Sequence, residues 1–450
     1  MSDQTTPLPG APDSPVRPTG REGFLRQSAG SVLIKGVSVL LSFATVVLLA
    51  RILGQEGYGV YAVVFATVSA LAIPASLGAP NLIVRETARA KEAGQSDQMR
   101  ALWRQGDMFV LASSSAVLLC AGLWLALAGP GEAYYWAFLA GLALVPLRAF
   151  IAVQGAALRG LGRVLLGQFP DLLLRPGLLV VFLLGFSLLV SAHAPSAAQA
   201  LCLHGVAAAL ALLIAWLNLR KHAPLAAGGD GASPMGLRAM AVSSGTMGLI
   251  AGIQVLNSNL DVIMLGALRE SAEAGVYKVA ANTSMLAGLG LLAMNQIITP
   301  RIAACHKRGD LAAMQTVIRQ GGSISLGVAC AVALVLFLAG GWFLGAAFGS
   351  AYASGYSVLV VLTAGQLLIA TFGLTIPILN MTGHERDTLR AMIVACIVNV
   401  VLNAALIPPL GGVGAAIATG ATTVCWSGVL LWRVRQRLGI NPTVFGIPRG

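Results

Sequence analysis

Apolar residues fill long, nearly unbroken runs along the chain, and polar residues gather in the short joints between them. The runs cover about residues 29–50, 59–79, 107–128, 134–154, 169–190, 198–218, 240–265, 276–299, 320–341, 355–378, 391–408 and 411–432. Most approach the ~20 residues that a helix needs to cross a hydrocarbon core. They lack the two-residue alternation of a half-buried strand, so they read as helices. The pattern predicts an all-α polytopic membrane protein with about twelve transmembrane helices; the eleventh is short and ends at Pro408-Pro409. Residues 1–25 open on a Pro-, Asp-, Ser- and Thr-rich stretch and read as a disordered cytoplasmic tail. No basic patch with a short apolar core precedes a cleavage site there, so the first helix is expected to be retained.

Composition strengthens this reading. The 450 residues are 57% hydrophobic and 10% charged, far from the roughly one-quarter charged content of soluble domains. A net charge of +12 would suit nucleic acid if it were clustered. The cations instead lie scattered through the joints and act as topology signals, so no nucleic-acid partner is expected. With the N-terminus in the cytoplasm, 24 of the 29 Lys and Arg fall on the inner side, and only Arg51, Arg269 and Lys278 on the outer. The positive-inside rule then places both termini in the cytoplasm. The six cysteines form no C-x-x-C pair and read as small core residues. No joint is long enough for a catalytic domain, and neither a metal-spaced cluster nor a phosphate-binding glycine loop is evident. The expectation is a transporter without cofactor, not an enzyme.

An internal repeat divides the runs. Gly59-Val60-Tyr61 enters the second run and Gly275-Val276-Tyr277 the eighth, 216 residues later. Six runs separate the copies, so the halves have the same orientation, one of the recurring transporter plans. The predicted units are a six-helix bundle over 26–222, a cytoplasmic linker over 223–237, a second bundle over 238–433 and a cytoplasmic tail over 434–450.

Charge within the runs suggests a site. Arg148 lies fourteen residues below Tyr134, roughly 21 Å down at 1.5 Å per residue. Arg175, six residues into the fifth run, and Lys35, six into the first, reach a similar level from the other side. A cavity holding Lys35, Arg148 and Arg175 would suit a phosphate group. Snorkelling to the interface is the alternative, as is pairing of Arg175 with Asp171 on one helix face; Asp107 would neutralise a second cation. In the seventh run, Gln254, Asn257 and Asp261 share one helical face. Such a stripe binds the polar part of a cargo, couples to an ion, or joins helices.

The chain also resembles a known family, the bacterial polysaccharide transporters and O-antigen-type oligosaccharide-lipid flippases of the multidrug/oligosaccharidyl-lipid/polysaccharide exporter superfamily. The resemblance is carried by LLARILGQEGYGVYAVVFA (48–66), SLGAPNLIVRETARA (76–90) and ALRGLGR (157–163). Further matches are LDVIMLGALRESAEAGVYKVA (260–280), ITPRIAACHKRGD (298–310), ILNMTGHERD (378–387) and VNVVLNAALIPPLGGVGAAIATG (398–420). It implies a MATE-like fold of two bundles around a central cavity, in a bacterial inner membrane. It implies alternating-access movement of polyprenyl-diphosphate-linked oligosaccharide to the outer leaflet. The implied partners are that lipid-linked glycan, membrane lipid and a glycosyltransferase or polymerase complex. Two alternatives stay open: a multidrug or small-molecule exporter coupled to Na+ or H+, with Asp261 as the coupling carboxylate, and a membrane scaffold that moves nothing.

Overall fold

The computed structural model describes residues 21–189, 195–224 and 237–444. Among the described residues every regular element is a helix, as the uninterrupted runs require of a backbone that must satisfy its own hydrogen bonds in lipid. The first half contains α1 (Arg21–Ser76), α2 (Ala79–Glu92), α3 (Ser96–Ala128), α4 (Glu132–Leu142), α5 (Leu144–Gly160), α6 (Val164–Phe169), α7 (Arg175–Leu189) and α8 (Ala197–His222). The second contains α9 (Leu237–Leu268), α10 (Ser271–Ser284), α11 (Leu289–Arg308), α12 (Leu311–Phe348), α13 (Tyr356–Phe372), α14 (Thr375–Met381) and α15 (Glu385–Leu438).

Ten stretches among the described residues are long and apolar enough to cross a membrane, and two of these, Leu33–Ser76 and Glu385–Leu438, have 44 and 54 residues. Each of the two is about twice the length that a bilayer needs. Each turns at a glycine whose backbone leaves the helix: Gly54 (φ 69°) in α1 and Gly411 (φ 56°) in α15. Pro408 and Pro409 remain inside α15 just before its break, where missing N–H donors loosen the ladder. Counting both breaks restores the twelve crossings of a multi-pass membrane protein. The joint expected between the first two runs is therefore a sharp break at Gly54 between two helical segments of α1. In the second half the equivalent turn is the short link at Arg269 and Glu270 between α9 and α10.

Two expected boundaries move. Of the predicted tail, residues 1–20 lie outside the described residues and α1 begins at Arg21; of the linker, 225–236 lie outside them. Of the cytoplasmic tail expected over 434–450, residues 434–438 belong to α15 and 445–450 lie outside the described residues. Helix α15 runs to Leu438, and the next residues fold back on α12 and α13. The Asn441 backbone N–H donates to the Gln315 side chain (3.0 Å), and the Gln315 amide donates back to the Asn441 carbonyl (2.5 Å). Lys278, expected in an outer joint, sits half-buried inside α10.

One apolar core runs through both halves, from Val63 and Leu144 to Val279 and Leu359, and a smaller one around Ile302, Ile318, Leu374 and Ile440 closes one end of the second half. Leu119, Leu188 and Leu338 lie on the outside, 75–80% exposed. That inversion suits a molecule whose solvent is hydrocarbon, where helix contact relies on close packing.

Candidate functional site

Two buried polar clusters stand out, one in each half. In the first half, the five residues Pro170–Leu174 between α6 and α7 form a π-helical turn, a local widening often found at functional sites. This turn holds Asp171 against Arg175, whose Nε donates to Asp171 Oδ1 at 3.1 Å. Nη1 of Arg175 lies 2.8 Å from Nε2 of His204 on α8, and Nδ1 of His204 lies 2.8 Å from the Tyr61 hydroxyl. A guanidinium only donates, so Nε2 accepts. Nδ1 then carries the imidazole proton and donates it to Tyr61, a tautomer assigned from its partners.

Arg148 on α5 stands on the other edge of the same group. Its Nη1 donates to Ser69 Oγ at 2.6 Å, and its guanidinium lies 5.3 Å from the Phe65 ring centre. Phe65 stacks on His204 with centroids 5.0 Å apart. The two arginines thus share one aromatic platform, and with Asp171 ionised the group carries a net charge of +1. Arg148, Asp171, Ser69 and Ser76 line a cavity of about 270 Å³, to which α9 contributes Gly248, Ala251, Gly252 and Val255. The cavity therefore lies between the halves.

Of the three cations grouped by depth, Arg148 and Arg175 come together. Lys35 is half-buried, bonds to neither and lies off this cavity wall. Asp107 accepts from Gln154 at 2.8 Å and forms no ion pair with an arginine among the described residues.

In the second half, Asp261 on α9 is 7% exposed. Its Oδ2 accepts from Tyr277 of α10 (2.8 Å) and from Thr419 beyond the α15 break (2.6 Å); its Oδ1 accepts from Asn403 Nδ2 (2.8 Å). The same amide donates to Asn399 Oδ1 at 2.9 Å, while Asn403 Oδ1 is enclosed without a partner. Asp261, Tyr277, Thr419 and Asn399 bring oxygens together around the Asn403 amide, the chemistry that hard cations favour. Among the described residues Asp261 forms no ion pair. The rest of the expected stripe does not join in: Gln254 is exposed, and Asn257 is half-buried with Oδ1 enclosed and unbonded.

Sequence reasoning passed over His204, Ser69, Asn399, Asn403 and Thr419. His204 carried a usable signal, an ionisable residue alone within an apolar run. Asn399 and Asn403 have one-face i, i+4 spacing within an apolar run.

The two repeat copies meet at the seam between the halves. A Cβ on Gly59 would lie 1.7 Å from the Ser271 carbonyl oxygen, and one on Gly275 would lie 2.6 Å from that of Gln55. Only glycine permits such an approach. Beside it, Arg51 donates to the carbonyls of Ala346 and Ala347 at the end of α12. Gln55 donates to Ala351 (2.7 Å), and the Tyr352 hydroxyl donates to Gly54 (2.9 Å). This end of the seam, expected to face outwards, is shut.

The sequence pattern of a family described as "Polysaccharide biosynthesis protein" matches residues 24–306. "Probable flippase AglR" of Haloferax volcanii is 32% identical over 164 residues, which are 36% of this chain and 34% of AglR. The alignment thus spans about a third of that relative's length. Among solved structures, the inward-facing conformation of a multidrug resistance MATE family transporter of the MOP superfamily aligns with TM-score 0.70 and 16% identity, covering 89% of this chain and 94% of that one. "Lipid II flippase MurJ, inward closed conformation" aligns with TM-score 0.71 and 12% identity, covering 90% and 87%. At such identities these likenesses show a shared MATE-like fold.

Proposed function

The chain belongs to the polysaccharide biosynthesis protein family, and from that premise we propose that it is a flippase for lipid-linked glycan. Its cargo in this reading is an oligosaccharide on a polyprenyl diphosphate, taken up from the cytoplasmic leaflet and released outside by alternating access. The observation that carries the reading is the cluster at the cavity between the halves, Arg148 and Asp171 on its wall and Arg175 behind them, with a net charge of +1. Arg148 faces that cavity with no ion pair among the described residues, and Arg175 is held behind it by Asp171 and His204. Arginine forks suit phosphate oxygens, and the Arg148 fork is the group on this wall with donors to offer an anion. Seam contacts closed at the expected outer end, together with the likeness to an inward-facing transporter, support a state that awaits cargo from the cytoplasm.

The Asp261 cluster supplies the coupling site in this reading. Its carboxylate, the Asn399 amide oxygen and the Thr419 hydroxyl suit a small monovalent cation, and we assign Na+, with H+ as the competing outcome. Turning the Asn403 amide would bring its unpartnered Oδ1 into the set; amide orientation follows from the hydrogen-bond network around it. Transport then needs no covalent step.

The test uses the full-length chain in proteoliposomes with a fluorescent polyprenyl-diphosphate disaccharide and a membrane-impermeant quencher. Protein-dependent transfer between leaflets, changed by an imposed Na+ gradient, is the expected result. A response to a proton gradient alone would move the coupling assignment to H+. No transfer above protein-free liposomes, with export of a lipophilic cation instead, would establish the multidrug alternative.

A further inference from the structure

The repeated Gly-Val-Tyr segments do more than mark the two halves. Each places its tyrosine hydroxyl in the polar cluster of its own half: Tyr61 against His204 Nδ1, and Tyr277 against Asp261 Oδ2, both at 2.8 Å. Both rings are buried, 5% and 3% exposed. Two residues earlier in each segment, Gly59 and Gly275 press backbone on backbone across the seam. A Cβ on Gly275 would lie 3.0 Å from the Gly59 nitrogen. Two residues of helix rise only about 3 Å, so each tyrosine is less than one turn from that contact. No side chain stands between the two backbones to absorb a shift. Close-packed contacts of this kind exchange between discrete arrangements rather than deform smoothly.

Resting on the reading above, we propose that Tyr61 and Tyr277 are positioning residues that couple the cation cluster to the cargo cluster through this backbone contact. A cation on Asp261 competes with the Tyr277 hydroxyl for Oδ2 and displaces the start of α10. Cargo that draws on Arg175 displaces His204, and with it Tyr61 and the adjoining turn of α1. Both events act on one pair of glycines, so each site reports its occupancy to the other.

The experiment measures binding of undecaprenyl diphosphate to the full-length chain in nanodiscs, in NaCl and in choline chloride at equal ionic strength. The ratio of the two Kd values is the coupling factor, expected at roughly 5- to 150-fold for the unmodified chain. Tyr277→Phe and Tyr61→Phe should each bring it to about twofold or less, and the double variant should do no more than either single one, as for residues in one path. Tyr58→Phe, whose hydroxyl touches neither cluster, should keep the original factor. A purely structural tyrosine would lower yield or both Kd values' quality alike without removing their ratio. Unchanged coupling in Tyr277→Phe and Tyr61→Phe overturns this inference alone. Loss of undecaprenyl diphosphate binding by Tyr61→Phe in both salts makes Tyr61 part of the cargo site and also overturns it. A factor of one in the unmodified chain removes the Na+ assignment itself, and this coupling with it.

Discussion

Replacing Arg148 tests the cargo site most directly, because it is the guanidinium that lines the cavity without an ion pair among the described residues. In Arg148→Gln the charge is lost, and with it at least one charge-assisted hydrogen bond to a phosphate oxygen. Such a bond contributes about 1.5–3 kcal/mol, which converts to a Kd raised about 10- to 150-fold. Arg148→Lys keeps the charge but not the fork that reaches Ser69 and the cavity together. Losing one bond of ordinary strength costs about 0.5–1.5 kcal/mol, or about 2- to 12-fold in Kd. The Phe65 contact orders the side chain in both states and changes this difference little. Binding of polyprenyl-diphosphate disaccharide and of a neutral glycolipid, measured on purified protein in nanodiscs, should therefore rank native, Lys and Gln in that order for the charged lipid only. Equal affinity across all three would refute a headgroup role for Arg148. Free replacement by Lys, with Gln reducing only yield, would make it a snorkelling or packing residue.

The remaining expectations concern coupling, gating and topology. Asp261→Asn should abolish the Na+ response of transport while protein abundance stays near normal, because the amide keeps the volume and loses the anionic acceptor; an unchanged Na+ response would reduce Asp261 to a packing role. Arg51→Ala removes hydrogen bonds worth about 0.5–1.5 kcal/mol each from the seam to Ala346 and Ala347. Spin-label distances between the outward ends of the halves should then show a larger open population, and an unchanged distribution would deny these bonds a gating role. Cysteines introduced at Gly131 and Ser350 should react with an impermeant thiol reagent in intact cells, while those at Gln95 and Gly309 should not; the reverse pattern would invert the assigned topology.

Most of the candidate site lay beyond sequence reasoning for a reason that its residues illustrate. Depth counting placed Lys35, Arg148 and Arg175 on one level, since rise per residue is constant. Depth says nothing about the direction in which each helix face points. Packing turned Arg148 and Arg175 towards Phe65 and His204 and left Lys35 without a bond to either arginine among the described residues. The stripe on α9 was sorted in the same way. Its three polar residues share a face by periodicity, yet only Asp261 meets Tyr277, Thr419 and Asn403, which arrive from other helices.

What the sequence alone determined is the part of the architecture imposed by the solvent. Lipid offers no hydrogen bonds, so each long apolar run must be a helix that satisfies itself, and the number of crossings and the two-half plan can be read by counting. Even the repeated Gly-Val-Tyr was visible as a pattern. Only the tertiary structure decided that its two copies face each other at the seam, that the chain breaks out of the helix at Gly54 and Gly411, and that His204 joins Tyr61 to Arg175. Those outcomes depend on the rotation and close approach of helices far apart in the chain, and such contacts leave no local period to read.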